Sequence, residues 1–226
     1  MLKVPITEEN NTTYLNLPNL EDRLLPNVTI VTPTYNREKV FEIAIRNYSK
    51  FNYPRDKLFW IILDDSPDNK IEKMLPDDKN IRYIKLNEKM SIGKKRNLLV
   101  ENVKTDIVCH MDDDDYYYPD SIRIRVVAMI YYNKSISGCS KMNCYNIIDD
   151  TQFITGDLTE KNIEVGEASL CYLKSYWETN KFDDNDTYSE GLKFINNNNI
   201  SNFVELPCAW IMLAISHNKN TSSRTN

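Results

Sequence analysis

Four consecutive carboxylates, Asp112 to Asp115, follow the run Asp106-Ile107-Val108-Cys109-His110-Met111 and precede Tyr116-Tyr117-Tyr118-Pro119. The run reads as a buried strand, so the carboxylates stand at its end. Repulsion between like charges and lost hydration make such a cluster costly unless a cation or a network of donors compensates. Oxygen ligands of this kind suit a hard divalent ion, Mg²⁺ or Mn²⁺, that keeps open positions for a phosphate-bearing substrate. A solvated acidic turn is the plainer alternative, and the four aspartates alone leave both open.

Other polar residues fall at comparable places. Val28-Thr29-Ile30-Val31-Thr32 is a β-branched run that ends at Pro33 and is followed by Thr34-Tyr35-Asn36-Arg37. Leu58 to Leu63 is a second apolar run, ending at Asp64-Asp65. Ile81 to Leu86 reads as a third strand and Asp106 to Met111 as a fourth. Helix-compatible segments lie between and after them, over 37–51, 68–75, 91–103 and 119–133. Strands alternating with helices predict an α/β domain with a mostly parallel sheet, and ligands gather at the carboxyl ends of such strands. The polar residues named above all sit at those ends.

Beyond residue 134 the alternation is irregular. Ile136 to Ile148 reads as one or two strands, Val165 to Thr179 and Ser189 to Asn197 as helices, and Phe203 to Ser216 as late strand. Residues 1–26, polar and punctuated by Pro5, Pro18 and Pro26, read as an extended N-terminal arm outside the core. The expected organisation is therefore this arm plus a single domain over 27–226, with a nucleotide-binding half (27–133) and an acceptor-binding half (134–226).

Composition narrows the function classes. The chain has 226 residues, enough for a sizeable core, with 41% hydrophobic and 27% charged residues. A net charge of −5 supplies no basic footprint for nucleic acid, and no nucleic-acid partner is expected. Five cysteines are scattered without a CxxC pair, as expected of buried, reduced thiols. The N-terminal residues lack the apolar core of a signal peptide, and the longest apolar stretch, Ala209 to Ile215, is too short to span a bilayer. A cytoplasmic location and no transmembrane segment are the expectation.

The strand-end residues, taken in order, resemble the family 2 glycosyltransferases of the GT-A fold. The matching blocks are Val28 to Arg37, Ile62 to Ser66, Gly93-Lys94-Lys95-Arg96-Asn97, and Met111 to Asp115 with Pro119-Asp120, over about residues 28–125. Each block alone is weak, and their order and spacing make them specific. The resemblance implies a Rossmann-like, mostly parallel central sheet flanked by helices, with a smaller mixed sheet on the acceptor side. It also implies transfer of a sugar from a nucleotide-sugar donor, UDP-linked by expectation, to a glycan, lipid-linked or protein-linked acceptor, with inversion at the anomeric carbon. A sugar nucleotidyltransferase would carry a Gly-rich loop after the first strand, where this chain has Pro33-Thr34-Tyr35-Asn36-Arg37. A catalytically impaired GT-A domain that binds nucleotide sugar or glycan without turnover is the non-enzymatic alternative.

Residue roles follow from the same resemblance. Pro33, Thr34, Tyr35, Asn36 and Arg37 form the turn that meets the nucleotide base; Asn36 could instead cap the next helix. Asp65 accepts from the base, with Asp64 a structural neighbour and Ser66 an N-cap. Gly93, Lys94 and Arg96 open a nucleotide-side helix, in which Arg96 reaches toward the base or the Asp cluster. Lys95 stands where the family has a small residue, and Lys94 and Lys95 read better as a solvated charge group at the helix start. Asp112-x-Asp114 is the DxD motif. Asp112 is expected at the ribose or the metal and Asp114 on the metal, while Asp113 lies beside the nucleotide or faces water. Asp115 is expected to pair with Arg96 or cap a helix. His217, after the last strand, completes a Mn²⁺ or Mg²⁺ shell, and Arg224 could clamp phosphate. The catalytic base is expected as a late carboxylate in a Glu-Asp pair, which this chain lacks. Glu190 is the first choice, then Asp186 and Asp184.

Overall fold

The structure, a computed structural model, describes residues 2–8, 11–68, 70–156, 165–196, 200–218 and 220. Arg224 and Asn197 lie outside the described residues. Strands β1 (Leu2–Glu8) and β2 (Asn11–Leu17) pair as an antiparallel hairpin. Segment 1–26, expected outside the core, instead places Leu17 and Leu25 in it, because both apolar side chains are covered by the domain.

The central sheet is built from β3 (Val28–Thr34), β4 (Leu58–Asp64), β5 (Ile81–Lys85) and β6 (Ile107–His110), all parallel. Helices α1 (Glu42–Lys50) and α2 (Ile92–Glu101) connect them. Every residue of β3 is buried, as a strand covered on both faces requires. The strand β7 (Tyr116–Tyr117) and helix α3 (Ser121–Tyr132) follow the acidic cluster, then β8 (Ile136–Gly138), β9 (Met142–Asn146) and β10 (Thr151–Thr155). The chain continues through β11 (Cys171–Leu173), α4 (Lys174–Thr179), α5 (Glu190–Asn196), β12 (Phe203–Glu205) and β13 (Met212–Ser216).

These strands form a seven-stranded sheet in the order β12-β8-β11-β6-β3-β4-β5 and a smaller mixed sheet, β10-β9-β13-β7. In the large sheet only β11 runs against its neighbours. This is the α/β architecture expected from the sequence, with two buried clusters that include Ile30, Trp60 and Ile62 in one and Val31, Ile61 and Leu63 in the other. The alternation along β3 and β4 thus divides the core between the two faces of the sheet.

Three sequence expectations change. Among its described residues, segment 68–75 holds a 3₁₀ turn at Glu72–Met74 rather than a helix, since Pro67 and Pro76 bracket it too tightly for a longer one. Segment Val165–Thr179 is not one helix: a 3₁₀ turn (Glu167–Ser169) leads into β11 before α4 begins. The Leu170-Cys171-Tyr172-Leu173 run is fit to be buried on both faces, and pairing between β6 and β8 overrides its helical pattern. Pro207 splits the late strand material, so β12 and β13 join different sheets. Among the described residues no helix is long and apolar enough to cross a membrane.

Candidate functional site

The carboxyl ends of β3 and β6 open onto a cleft of about 1040 Å³. Its wall takes in Pro33 to Arg37, Arg96, Asp112 to Asp114, Glu167 and Glu190, with Met142, Cys144, Thr155 and Ala214 from the small sheet.

The turn after β3 is held by its neighbours. Asn36 adopts a left-handed backbone (φ 54°), a conformation Asn tolerates better than most residues, and its N–H donates to Ser66 Oγ at 2.7 Å. Ser66 therefore ties this turn and is not an N-cap, and Asn36 does not cap α1. Asp64 is structural: it accepts from Ser66 N at 2.8 Å and from Tyr83 Oη at 2.7 Å. Asp65 is buried, accepting from Lys95 Nζ at 2.9 Å and from Met90 N at 2.8 Å. Lys95, read from sequence as a solvated charge, is buried and lies 6.0 Å from the centre of the Tyr35 ring. Asp65 itself stands behind the cleft wall.

The acidic cluster is not a solvated turn. Asp113, Asp114 and Asp115 are all buried. Arg37 approaches Asp113 at 3.9 Å and Asp114 at 3.6 Å. Asp113 is buried rather than facing water, and burial, then the charge of Asp114, push its carboxyl well above the usual carboxylate range. Asp115 neither pairs with Arg96 nor caps a helix: its Oδ1 accepts from Ile215 N at 2.9 Å, which fastens β13 to the cluster. Asp112 donates its N–H to Tyr117 Oη at 2.9 Å, and that hydroxyl donates to Ala168 O at 2.9 Å. One buried tyrosine thus joins the cluster to the Glu167–Ser169 turn.

Asp114 Oδ2 lies 3.0 Å from His217 Nε2, and Asn220 Nδ2 donates to the same oxygen at 3.3 Å. A carboxylate oxygen beside an imidazole nitrogen fits Mn²⁺ or Mg²⁺, with further positions for water and phosphate oxygens. Among the described residues no three His, Cys, Asp or Glu side chains converge on one point, so Asp112 does not join that pair. Asp112 Oδ1 instead lies 3.4 Å from the Arg96 guanidinium.

Arg96 is the hub of the cleft. It donates to Glu190 Oε1 at 2.5 Å and contacts His110 Nδ1 at 3.0 Å. Burial works against its charge, but Asp112 and Glu190 outweigh burial and raise its pKa. His110 is fully buried, and burial, followed by the charge of Arg96, lowers its pKa well below the usual histidine value. It is therefore neutral, and its Nδ1 lies beside both the Arg96 guanidinium and the Glu167 carbonyl.

Other expected residues lie elsewhere. Lys94 is exposed, and Gly93 packs under the loop after α4, donating to Asp186 O at 3.1 Å. Asp184 accepts from Asn97 Nδ2 at 2.7 Å, and Asp186 lies 3.3 Å from Lys193 Nζ. Neither lines the cleft, whereas Glu190 does. Sequence reasoning passed over Glu167, a cleft carboxylate without a motif around it, and His110, which stood in plain view inside the β6 run.

Comparison with known proteins adds three findings. A family model described as Glycosyl transferase family 2 matches residues 29–179. The fold is similar to the crystal structure of S. aureus TarS 1–349 in complex with UDP-GlcNAc (TM-score 0.66, 15% identity, covering 88% of this chain and 61% of that one). It is also similar to the mannosyltransferase PcManGT from Pyrobaculum calidifontis in complex with GDP-Man and Mn²⁺ (TM-score 0.63, 16% identity, 89% and 60%). The chain thus spans about three fifths of the length of each of these structures. No curated protein sequence matches it.

Proposed function

The chain belongs to glycosyl transferase family 2, and from that premise we propose that it moves a sugar from a nucleotide-sugar donor, UDP-linked, to a hydroxyl acceptor with inversion at the anomeric carbon. The observation that carries this reading is that Asp114, which lines the cleft together with the 33–37 turn, meets His217, far away in the chain, at 3.0 Å. That arrangement supports a diphosphate held between the β3 turn and the acidic cluster.

Tyr35 and the turn around it offer a face and backbone groups to the base. Asp65, expected to accept from the base, is buried behind the cleft wall and held by Lys95 and the Met90 amide, so it supports the base site from behind by fixing Lys95 beside Tyr35. Asp112 and Asp113 lie toward the ribose and diphosphate, and Arg37 contributes a donor fork beside the phosphates. Asp114 and His217 would hold Mn²⁺ or Mg²⁺, which when bound neutralises charge on the diphosphate. Met142, Cys144, Thr155 and Ala214 of the small sheet offer a mixed surface to a glycan or sugar-bearing acceptor. A cleft carboxylate takes the acceptor proton. Of Glu190, Asp186 and Asp184, Glu190 alone lines the cleft.

Calorimetric titration of UDP and GDP, each with Mn²⁺, Mg²⁺ or EDTA, tests the reading. UDP binding that needs the metal and disappears in Asp114→Ala is the expected result. If neither nucleotide binds with any metal, the donor site is absent and the proposal fails.

A further inference from the structure

Two carboxylates, Glu190 and Glu167, line the same stretch of cleft wall and differ in what they are free to do. Glu190 is committed to Arg96: Oε1 and Nε stand 2.5 Å apart, with the side chains 5% and 3% exposed. Glu167 opens the 3₁₀ turn that precedes β11 and is only partly buried. Its Oε1 accepts from the backbone N–H of Gly191 at 3.0 Å. Position 191 carries no side chain. A Cβ there would stand 2.7 Å from Glu167 Cγ and 3.1 Å from Oε1. The Glu167 carboxylate therefore fills the volume that a side chain at 191 would need. The chain reads Glu190-Gly191 where the family resemblance leads to a Glu-Asp pair, and the second carboxylate reaches that place from another element.

We propose that Glu167 is the catalytic base of the transfer, with Glu190 serving as the positioning partner of Arg96. In the step, the acceptor hydroxyl gives its proton to the Glu167 carboxylate while its oxygen bonds to the anomeric carbon. The bond from that carbon to the β-phosphate oxygen breaks, and its electron pair leaves on the nucleoside diphosphate. The assignment rests on the glycosyl-transfer reading above.

The electrostatics agree with the geometry. Burial, and then the charge of Glu190, raise the Glu167 carboxyl to about 7, with Arg96 and the amide of Gly191 opposing. A carboxylate tuned near neutrality is a stronger base than an ordinary one and remains largely ionised just above pH 7. The groups facing it are Arg96 from α2, Glu190 and the Gly191 amide from α5, and neutral His110 from β6, whose Nδ1 lies 2.9 Å from the Glu167 carbonyl.

The test uses the full chain with Mn²⁺ and four donors: UDP-glucose, UDP-galactose, UDP-N-acetylglucosamine and GDP-mannose. Release of nucleoside diphosphate is followed with water standing in for the acceptor, and UDP and GDP binding is followed by calorimetry. Glu167→Gln is expected to slow release by about 100-fold or more, to leave nucleotide binding unchanged and to remove the limb near pH 7 from the rate profile. Gly191→Asp alone is expected to be impaired, because its side chain meets Glu167. In the double variant Glu167→Ala/Gly191→Asp the space is free and a carboxylate returns, so release is expected to recover about tenfold over Glu167→Ala, part of what a base contributes. Wild-type release in Glu167→Gln, with the pH limb intact, overturns the assignment and leaves the transfer reading standing. A wild-type protein that releases nucleotide from none of the donors overturns the transfer reading and the assignment together.

Discussion

Arg96 Nε and Glu190 Oε1 stand 2.5 Å apart, both side chains nearly sealed from solvent, although 94 positions separate them in the chain. The pair joins the helix that opens the nucleotide side to the helix that follows the late acidic loop, and the same guanidinium lies 3.4 Å from Asp112. The arginine thus sets the spacing between the strand-end carboxylates and the opposite end of the cleft wall.

Breaking that pair from one side should be costlier than removing it whole. Arg96→Ala leaves Glu190 and Asp112 without their buried cation, and a loss of about 3–5 kcal/mol is expected. The double variant Arg96→Ala/Glu190→Gln should lose less than the sum of the single losses, because Glu190 no longer leaves a buried charge stranded. Urea unfolding of the four proteins measures this, and strictly additive losses would show that the contact contributes nothing.

The raised carboxyl of Glu167 also predicts a dependence of stability on pH. Its folded value of about 7 lies above the ordinary glutamate value of 4.5. The folded state therefore binds the proton more tightly, and the stability from this residue is complete below pH 4.5 and declines as pH rises to about 7. The total is roughly 3 kcal/mol. Glu167→Gln should remove this part of the profile and be more stable than the wild-type protein at pH 8, as read from denaturation midpoints at pH 5 and pH 8. Parallel profiles would refute the raised value.

Asp114 and His217 should differ in how they affect metal use. Asp114→Ala is expected to abolish metal-dependent nucleotide binding, since it removes the anionic donor. His217→Ala should weaken binding with Mn²⁺ by about tenfold and with Mg²⁺ much less, because imidazole suits Mn²⁺ better. Titrations of UDP at fixed concentrations of each metal compare the two, and equal losses with both ions would argue that His217 only buttresses Asp114.

Gly93 tests the contact between α2 and the loop that carries Asp183 to Asp186. A Cβ at 93 would come 2.0 Å from the Asp183 carbonyl oxygen, a backbone atom that cannot swing aside. Gly93→Ala should therefore displace the loop and lower stability by about 1–3 kcal/mol. Thermal unfolding reads the loss; an unchanged midpoint would mean that the loop yields freely.

The parallel half of the molecule was legible in the chain. Val28 to Thr32 and Leu58 to Leu63 are continuous apolar runs because each strand is covered on both faces, and their ends fall where polar residues begin. The later half was less so. Leu170 to Leu173 carries a pattern that fits a helix or a buried strand, and the gap between β6 and β8 decides for the strand. Lys95 looked like a surface charge because nothing local reveals that Asp65, just past the end of β4, closes over it.

By itself the sequence determined which residue types stand at the strand ends: the 33–37 turn, Asp65, Arg96 and the aspartate run. Local pattern suffices there, because strand, turn and helix start are set within a few residues of one another. Tertiary structure decided which of these residues meet. Asp114 finds His217 because β13 is tied to the cluster through Asp115, Arg96 finds Glu190 across the cleft, and Glu167 enters the volume left by Gly191. Each of those pairings depends on how separate elements pack against the sheet, and packing distance leaves no mark in the spacing of residues along the chain.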